Sequence, residues 1–182
     1  MPTLLEVGDL RVACSVTGNG PPLLLIHGGE ASHRMFDAMA PLLAPHFTVI
    51  AYDQRDCGDT EGPAVPVTLA DLADDAHALL HALGHRSAHV YGTSFGGRVA
   101  QSLALRHPDA VRRLVLASTW PLRDSLAALN PEGVARIHAL RDGLPGTAEE
   151  LAALFLPERF LASHPQFKDL FKKAPPRSER SR

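Results

Sequence analysis

Along the first two-thirds of the chain, short unbroken apolar runs alternate with segments whose apolar residues recur every three or four positions. PLLLIHGG from residue 22, FTVIAYD at 47–53, SAHVYG at 87–92 and VRRLVLAS at 111–118 are runs of the first kind. Continuous apolar runs bounded by turn residues suit strands covered on both faces, as in a parallel sheet. Between them, residues 33–44 place Met35, Phe36, Met39, Leu42 and Leu43 at helical spacing, with Pro41 predicting a kink or an early end. Residues 68–84 form the clearest helix: Thr68 with Asp71 reads as a capping box, Leu69, Leu72, Ala73, Ala76, Leu80 and Leu83 make one stripe, and Gly84 ends it. Residues 96–107 predict a further helix, stopped by Pro108. Two shorter strands, 4–7 and 10–17, open the chain and meet at a Gly8-Asp9 turn. This order predicts an α/β fold: a mostly parallel sheet built by right-handed crossovers, two antiparallel N-terminal strands, and helices on both faces.

Beyond Trp120 the rhythm changes. Segments 125–141, 147–155 and 159–173 read as helical, and no further buried strand appears. The closing KKAPPRSERSR is basic and rich in Pro and Ser, a composition that predicts disorder. The expected organisation is a core over 1–120, a helical region over 121–174 and a disordered tail over 175–182.

Composition narrows the picture a little. Apolar residues make up 45% of the chain, and the formal net charge of -2 gives no electrostatic case for binding nucleic acid or an anionic membrane. No apolar run reaches membrane-spanning length, and the N-terminus carries Glu6 and Asp9 in place of a basic start, so a soluble, cytoplasmic protein is expected. Cys14 and Cys57 fit no metal spacing and read as reduced thiols. His77 and His81, with Asp74 nearby, have a metal-like spacing but fall on the polar side of their helix, which reads as a solvated face.

The stretch YGTSFGGRVA carries the chemistry. Gly-x-Ser-x-Gly between a strand and a helix lifts Ser94 onto a sharp turn, and the small residues Gly92 and Gly96 let neighbouring backbone approach. The N–H of Phe95, at the positive end of the following helix, is a natural donor to an oxyanion formed when Ser94 attacks a carbonyl. IHGGE at 26–30 follows another buried strand on the same edge, and Gly28 and Gly29 allow a second N–H to turn towards the site, with Gly29 favoured.

With LLLIHGG, VIAYDQRDCGDT, HVYGTSFGGRVA and RLVLAST in this order, the chain resembles the α/β-hydrolase family. The resemblance implies a serine nucleophile at Ser94, oxyanion donors at Gly29 and Phe95, and substrate contacts at Gly28 and Trp120. It also implies that residues 121–174 begin a helical cap, and that no cofactor is needed. DQRDCGDT resembles the family's Asp-x-Arg-Gly-x-Gly-x-Ser loop, departing from it at Asp56 and Thr60; Asp53 and Arg55 are expected to brace loops. The usual acid and histidine follow the seventh and eighth strands, and the letters stop inside the cap. The expectation is therefore an apparently truncated hydrolase that lacks the last two strands.

Of the ten histidines, His27 reads as a brace of the HGG turn, and His33, at that loop's exit, as a capping or exposed residue or one that faces the site. His138 and His164, in the cap, are the candidates to swing over Ser94 as a substitute base. The expected function is hydrolysis of a carboxylic ester, lactone or small amide through an acyl-enzyme, weak or absent in this chain. The proline iminopeptidase branch, esterases and lactonases all remain open. The alternative is a non-catalytic remnant that binds a small apolar ligand, or a protein partner, with RLVLAS as an exposed edge open to self-association.

Overall fold

A computed structural model describes residues 2–29 and 31–172. These residues divide into two compact units, the first reaching Leu122 and the second starting at Arg123. The predicted tail at 175–182 lies outside the described residues.

The first unit is a six-stranded sheet in the order β1-β2-β4-β3-β5-β6. Strands β1 (Thr3–Val7) and β2 (Leu10–Thr17) form the antiparallel hairpin, and β2 runs antiparallel to β4 (Thr48–Tyr52). Strand β3 (Pro22–Ile26) is parallel to both β4 and β5 (Ala88–Thr93), and β5 is parallel to β6 (Val111–Ala117). Every residue of β3 is buried, so its alternating side chains serve two faces. Leu24 and Ile26 join the cluster of α2 (Leu69–Ala82) and α3 (Phe95–Arg106), with Leu72, Leu79, Leu80, Val99 and Leu103. Leu23 and Leu25 pack with Phe36, Val49 and Ala51 on the other face.

Thr68 caps α2 as its sequence implies: its Oγ1 accepts from the Asp71 N–H at 3.2 Å, and its own N–H donates to Asp71 Oδ2 at 2.7 Å. The predicted helix over 33–44 is instead a single 3-10 turn, His33–Phe36, followed by the four-residue α1 (Ala40–Leu43). Pro41 lies in the first turn of α1, where its missing N–H costs nothing; it begins a helix rather than kinking one.

In the second unit, the predicted helix over 125–141 is two helices, α4 (Leu126–Leu129) and α5 (Pro131–Asp142). Asn130 separates them, its side chain accepting the Gly133 N–H at 3.0 Å to cap α5. Helices α6 (Ala148–Phe155), α7 (Glu158–Ser163) and α8 (Gln166–Lys172) follow. Leu140, Leu151, Ala152 and Leu161 are buried.

Strand β6 is the exposed apolar edge expected of RLVLAS. Among the described residues no strand pairs with its outer side, and Leu114, Val115 and Leu116 are 37%, 53% and 43% exposed.

The polar side of α2 is not simply solvated. His77 lies flat against His107, with ring centroids 3.9 Å apart, and edge-on to His81 at 4.5 Å. His107 meets Asp74 Oδ1 at 2.7 Å, and Arg106 forks onto both oxygens of Asp74. Burial, then the neighbouring His107 and His81, hold His77 below its ordinary value of 6.5. The unfolded chain therefore takes up a proton on His77 before the folded protein does. The stability this contributes is complete above about pH 6.5 and is lost as pH falls through the lower folded value. Thermal melts between pH 7.5 and 5 are expected to show a falling midpoint, with a shallower slope in His77→Gln. Equal slopes in the two proteins would remove His77 as the cause.

Candidate functional site

Ser94 stands between the end of β5 and the start of α3 with φ 53 and ψ −123, a left-handed backbone that a serine rarely adopts. Such a conformation costs about 1–3 kcal/mol and persists only where the surroundings over-determine it. Here three glycines do so. A methyl group on Gly92 would come within 2.5 Å of the Gly96 oxygen, one on Gly96 within 2.2 Å of the His27 oxygen, and one on Gly97 within 2.6 Å of Thr119. The turn is thus pressed against β3's exit on one side and the segment after β6 on the other.

That second contact was not legible in the sequence. Thr119 Oγ1 donates to the Ser94 carbonyl at 2.7 Å, and the Ser94 N–H donates to the Ala117 carbonyl at 3.0 Å. Arg98 Nη2 donates to the Leu122 carbonyl at 2.8 Å and Gln101 Nε2 to the Trp120 carbonyl at 3.0 Å. One signal for these clamps was available: the second glycine of FGG, Gly97, marks the close approach of Thr119.

The 26–29 segment is fixed from beneath. The Gln54 N–H donates to His27 Nε2 at 3.2 Å, and Gln54 Nε2 donates to the His27 carbonyl at 2.8 Å. With Nε2 accepting, the proton of a neutral ring sits on Nδ1, which meets the Gly28 carbonyl at 2.7 Å. In a planar trans peptide the C=O and the following N–H point in opposite directions, so the Gly29 N–H is aimed away from His27. Gly28 itself lies against the turn: a methyl there would stand 3.3 Å from Ser94 Cβ and 3.8 Å from its Oγ, and one on Gly29 would stand 3.7 Å from Phe95 Cβ. Phe95 opens α3, whose aligned peptide dipoles put positive potential at this end.

The structure therefore gathers Ser94, Phe95, Gly28 and Gly29 in one place. Trp120 lies beside Arg98, whose guanidinium carbon is 5.4 Å from the indole centroid. Ser94 is half-buried, and among the described residues no side chain hydrogen-bonds its hydroxyl. His138 and His164 both belong to the second unit, where His164 Nδ1 meets Ser163 Oγ at 2.9 Å.

His33 is neither a cap nor exposed. It is 4% exposed and donates its N–H and Nδ1 to Asp53 Oδ1 at 2.6 and 2.8 Å. Asp53 Oδ2 accepts the Asp59 N–H at 2.7 Å, and Gly58 packs so closely on this carboxylate that a methyl would reach 1.9 Å. Asp56, where the sequence departs from the family's glycine, has φ 59; Asp is among the few residues that tolerate this backbone. Thr60, the other departure, bridges the Asp53 carbonyl and the Ala13 N–H. Arg55 forks onto Asp75 of α2 and onto Asp9, and these carboxylates raise its pKa further above its already high ordinary value. Burial, then Asp53, pushes the Cys14 thiol up, so Cys14 stays a thiol. Among the described residues no group of three or more His, Cys, Asp or Glu is placed to hold a metal ion, and no helix is long and apolar enough to cross a membrane.

A family model described as alpha/beta hydrolase fold matches residues 21–182. The chain belongs to the α/β-hydrolase fold family. It is 37% identical over 123 residues to a fluoroacetate dehalogenase from a Burkholderia species, covering 65% of this chain and 40% of that protein. It is 38% identical over 138 residues to a 2-hydroxymuconate semialdehyde hydrolase from Pseudomonas sp. (strain CF600), covering 68% of this chain and 49% of that protein. A solved hydrolase from Pseudomonas aeruginosa superposes with a TM-score of 0.70 at 32% identity, over 93% of this chain and 67% of that one. The chain thus spans about two-fifths to one-half of the length of these curated α/β-hydrolase relatives.

The strain at Ser94 is measurable without any reaction. Ser94→Gly releases a backbone that only glycine adopts freely, and is expected to stabilise the protein by about 1 kcal/mol or more in urea unfolding. A destabilised Ser94→Gly would show that the turn is not strained.

Proposed function

We propose that this chain carries the nucleophile and oxyanion half of a serine hydrolase acting on a carboxylic ester, lactone or small amide. In this reading Ser94 attacks the carbonyl, and the N–H groups of Gly29 and Phe95 receive the negative charge that develops on its oxygen. Gly28 and Trp120 line the substrate's approach. One observation carries the reading: the strained Ser94 turn lies against Gly28, whose carbonyl is held by His27 so that the Gly29 N–H is aimed away from His27.

The residue type selects the chemistry among the reactions named for its relatives. An alkyl group displaced onto a serine hydroxyl would be left as an ether, which water does not release under mild conditions. An acyl group is left as an ester, which it does. Ser94 therefore fits acyl transfer better than the displacement of halide from a saturated carbon.

A hydroxyl is a poor nucleophile until a base takes its proton. In a serine protease, loss of that base lowers turnover about a million-fold, and a roughly thousand-fold advantage over water survives from the oxyanion hole and binding. The 182-residue chain is therefore expected to be a slow catalyst on its own. A fluorophosphonate probe is expected to label Ser94 slowly, faster with added imidazole as an external base, and not at all in Ser94→Ala. Unchanged labelling in Ser94→Ala, or none at any imidazole concentration, would reject the reading.

A second reading rests on β6. Its outer side, unpaired among the described residues, and the exposed Leu114, Val115 and Leu116 suit antiparallel pairing with the same strand of a second copy. Light scattering after size-exclusion chromatography is expected to give a dimer for the chain and a monomer for Val115→Lys. A monomer for the unchanged chain across the micromolar range would remove this reading.

A further inference from the structure

Three histidines meet where α2 faces the end of α3, away from the residues assigned to Ser94. His77 and His81 lie one helical turn apart on α2, and their Nε2 atoms are 3.1 Å from each other. His107 lies flat on His77, and its Nε2 is already committed to Asp74. Arg106 takes both oxygens of the same carboxylate. His77 is thus fixed between two rings, while His81 is exposed at the rim.

We propose that His77 and His81 form a two-imidazole chelate for a divalent transition metal of the Cu2+, Ni2+ and Zn2+ class, with water completing the coordination sphere. An imidazole nitrogen sits about 2.0–2.1 Å from such a metal. Two such bonds spanning the observed 3.1 Å enclose an angle of about 95–102°, between square and tetrahedral values. The two nitrogens already stand at a chelating separation one helical turn apart, so a rotation of the exposed His81 ring brings both lone pairs onto the ion without a change in the backbone.

In the metal-free pair, one Nε2–H bridges to the other Nε2. Coordination uses both Nε2 lone pairs, so that proton moves to Nδ1 of its own ring, and a neutral pair releases no proton. Burial and the neighbouring rings favour the neutral form of His77, which leaves its lone pair available near pH 7. Asp74 stays with Arg106 and His107 and is not counted as a ligand. Two nitrogen ligands with open positions favour Cu2+ over Ni2+ and Zn2+. An ion that spans one helical turn binds only the folded α2, so it stabilises the protein by mass action.

Isothermal titration of the full 182-residue protein with copper(II) chloride, then with zinc chloride, in a non-coordinating buffer tests the site. One equivalent of Cu2+ is expected, weakened at least about tenfold in both His77→Ala and His81→Ala and unchanged in His85→Ala. Cu2+ is also expected to raise the melting temperature of the unchanged protein but not of His81→Ala, whose lost ring is exposed and whose fold circular dichroism can check. No saturable one-equivalent binding, or a site that survives in His81→Ala, would overturn the proposal.

Discussion

The arrangement around Ser94 depends on backbone lying against backbone with no side chain between. The Gly96 Cα position faces the carbonyl oxygens of His27 and Ile26, and a single methyl there would sit 2.2 and 2.4 Å from them. Overlap of that kind cannot be relieved by a rotamer change, because both partners are main chain. The closeness sets the start of α3 directly against the exit of β3, the two segments that meet at the site. The strain held at Ser94 and the placement of the Gly28–Gly29 peptide follow from the same contact.

The frame of the first unit was readable from the letters because it rests on short-range pattern. Unbroken apolar runs gave β3, β4 and β5, and the Leu stripe with Thr68 and Asp71 gave α2. The failures share one cause, which is that a local pattern does not say what will lie beside it. Residues 33–44 and 125–141 have helical spacing, yet Pro41 and Pro131 each sit where a new helix begins. His33 looked like a residue for the surface, but Asp53, twenty positions on, draws it into the interior.

The site divides in the same way. Ser94, Gly28, Gly29 and Phe95 could be named because each lies within a few letters of a strand end, where sequence spacing constrains position. The residues that hold them could not. Thr119 reaches Ser94 across 25 positions, and Gln54 reaches His27 across 27. Both are hydrogen bonds to main chain from ordinary polar side chains, whose identity carries no local signal. The loop from Asp53 to Thr60 is intermediate. Its departure from the family pattern at Asp56 puts one of the few tolerant residue types at a left-handed backbone position.

If Ser94 is the nucleophile proposed above, holding it and removing its proton are separable tasks. Every group that fixes the Ser94 backbone — the glycines, His27, Thr119 and the carbonyl of Ala117 — lies within the first unit. None of them accepts the hydroxyl proton. Geometry and acidity therefore fail independently: the turn can be fully formed and strained in a protein whose serine reacts slowly. Slow reaction alone would then say nothing against the turn, and a strained turn alone would say nothing about a base. Response to an external base discriminates between the two cases, because a small imidazole restores proton transfer but cannot rebuild a misplaced hydroxyl or turn a peptide N–H towards the oxyanion.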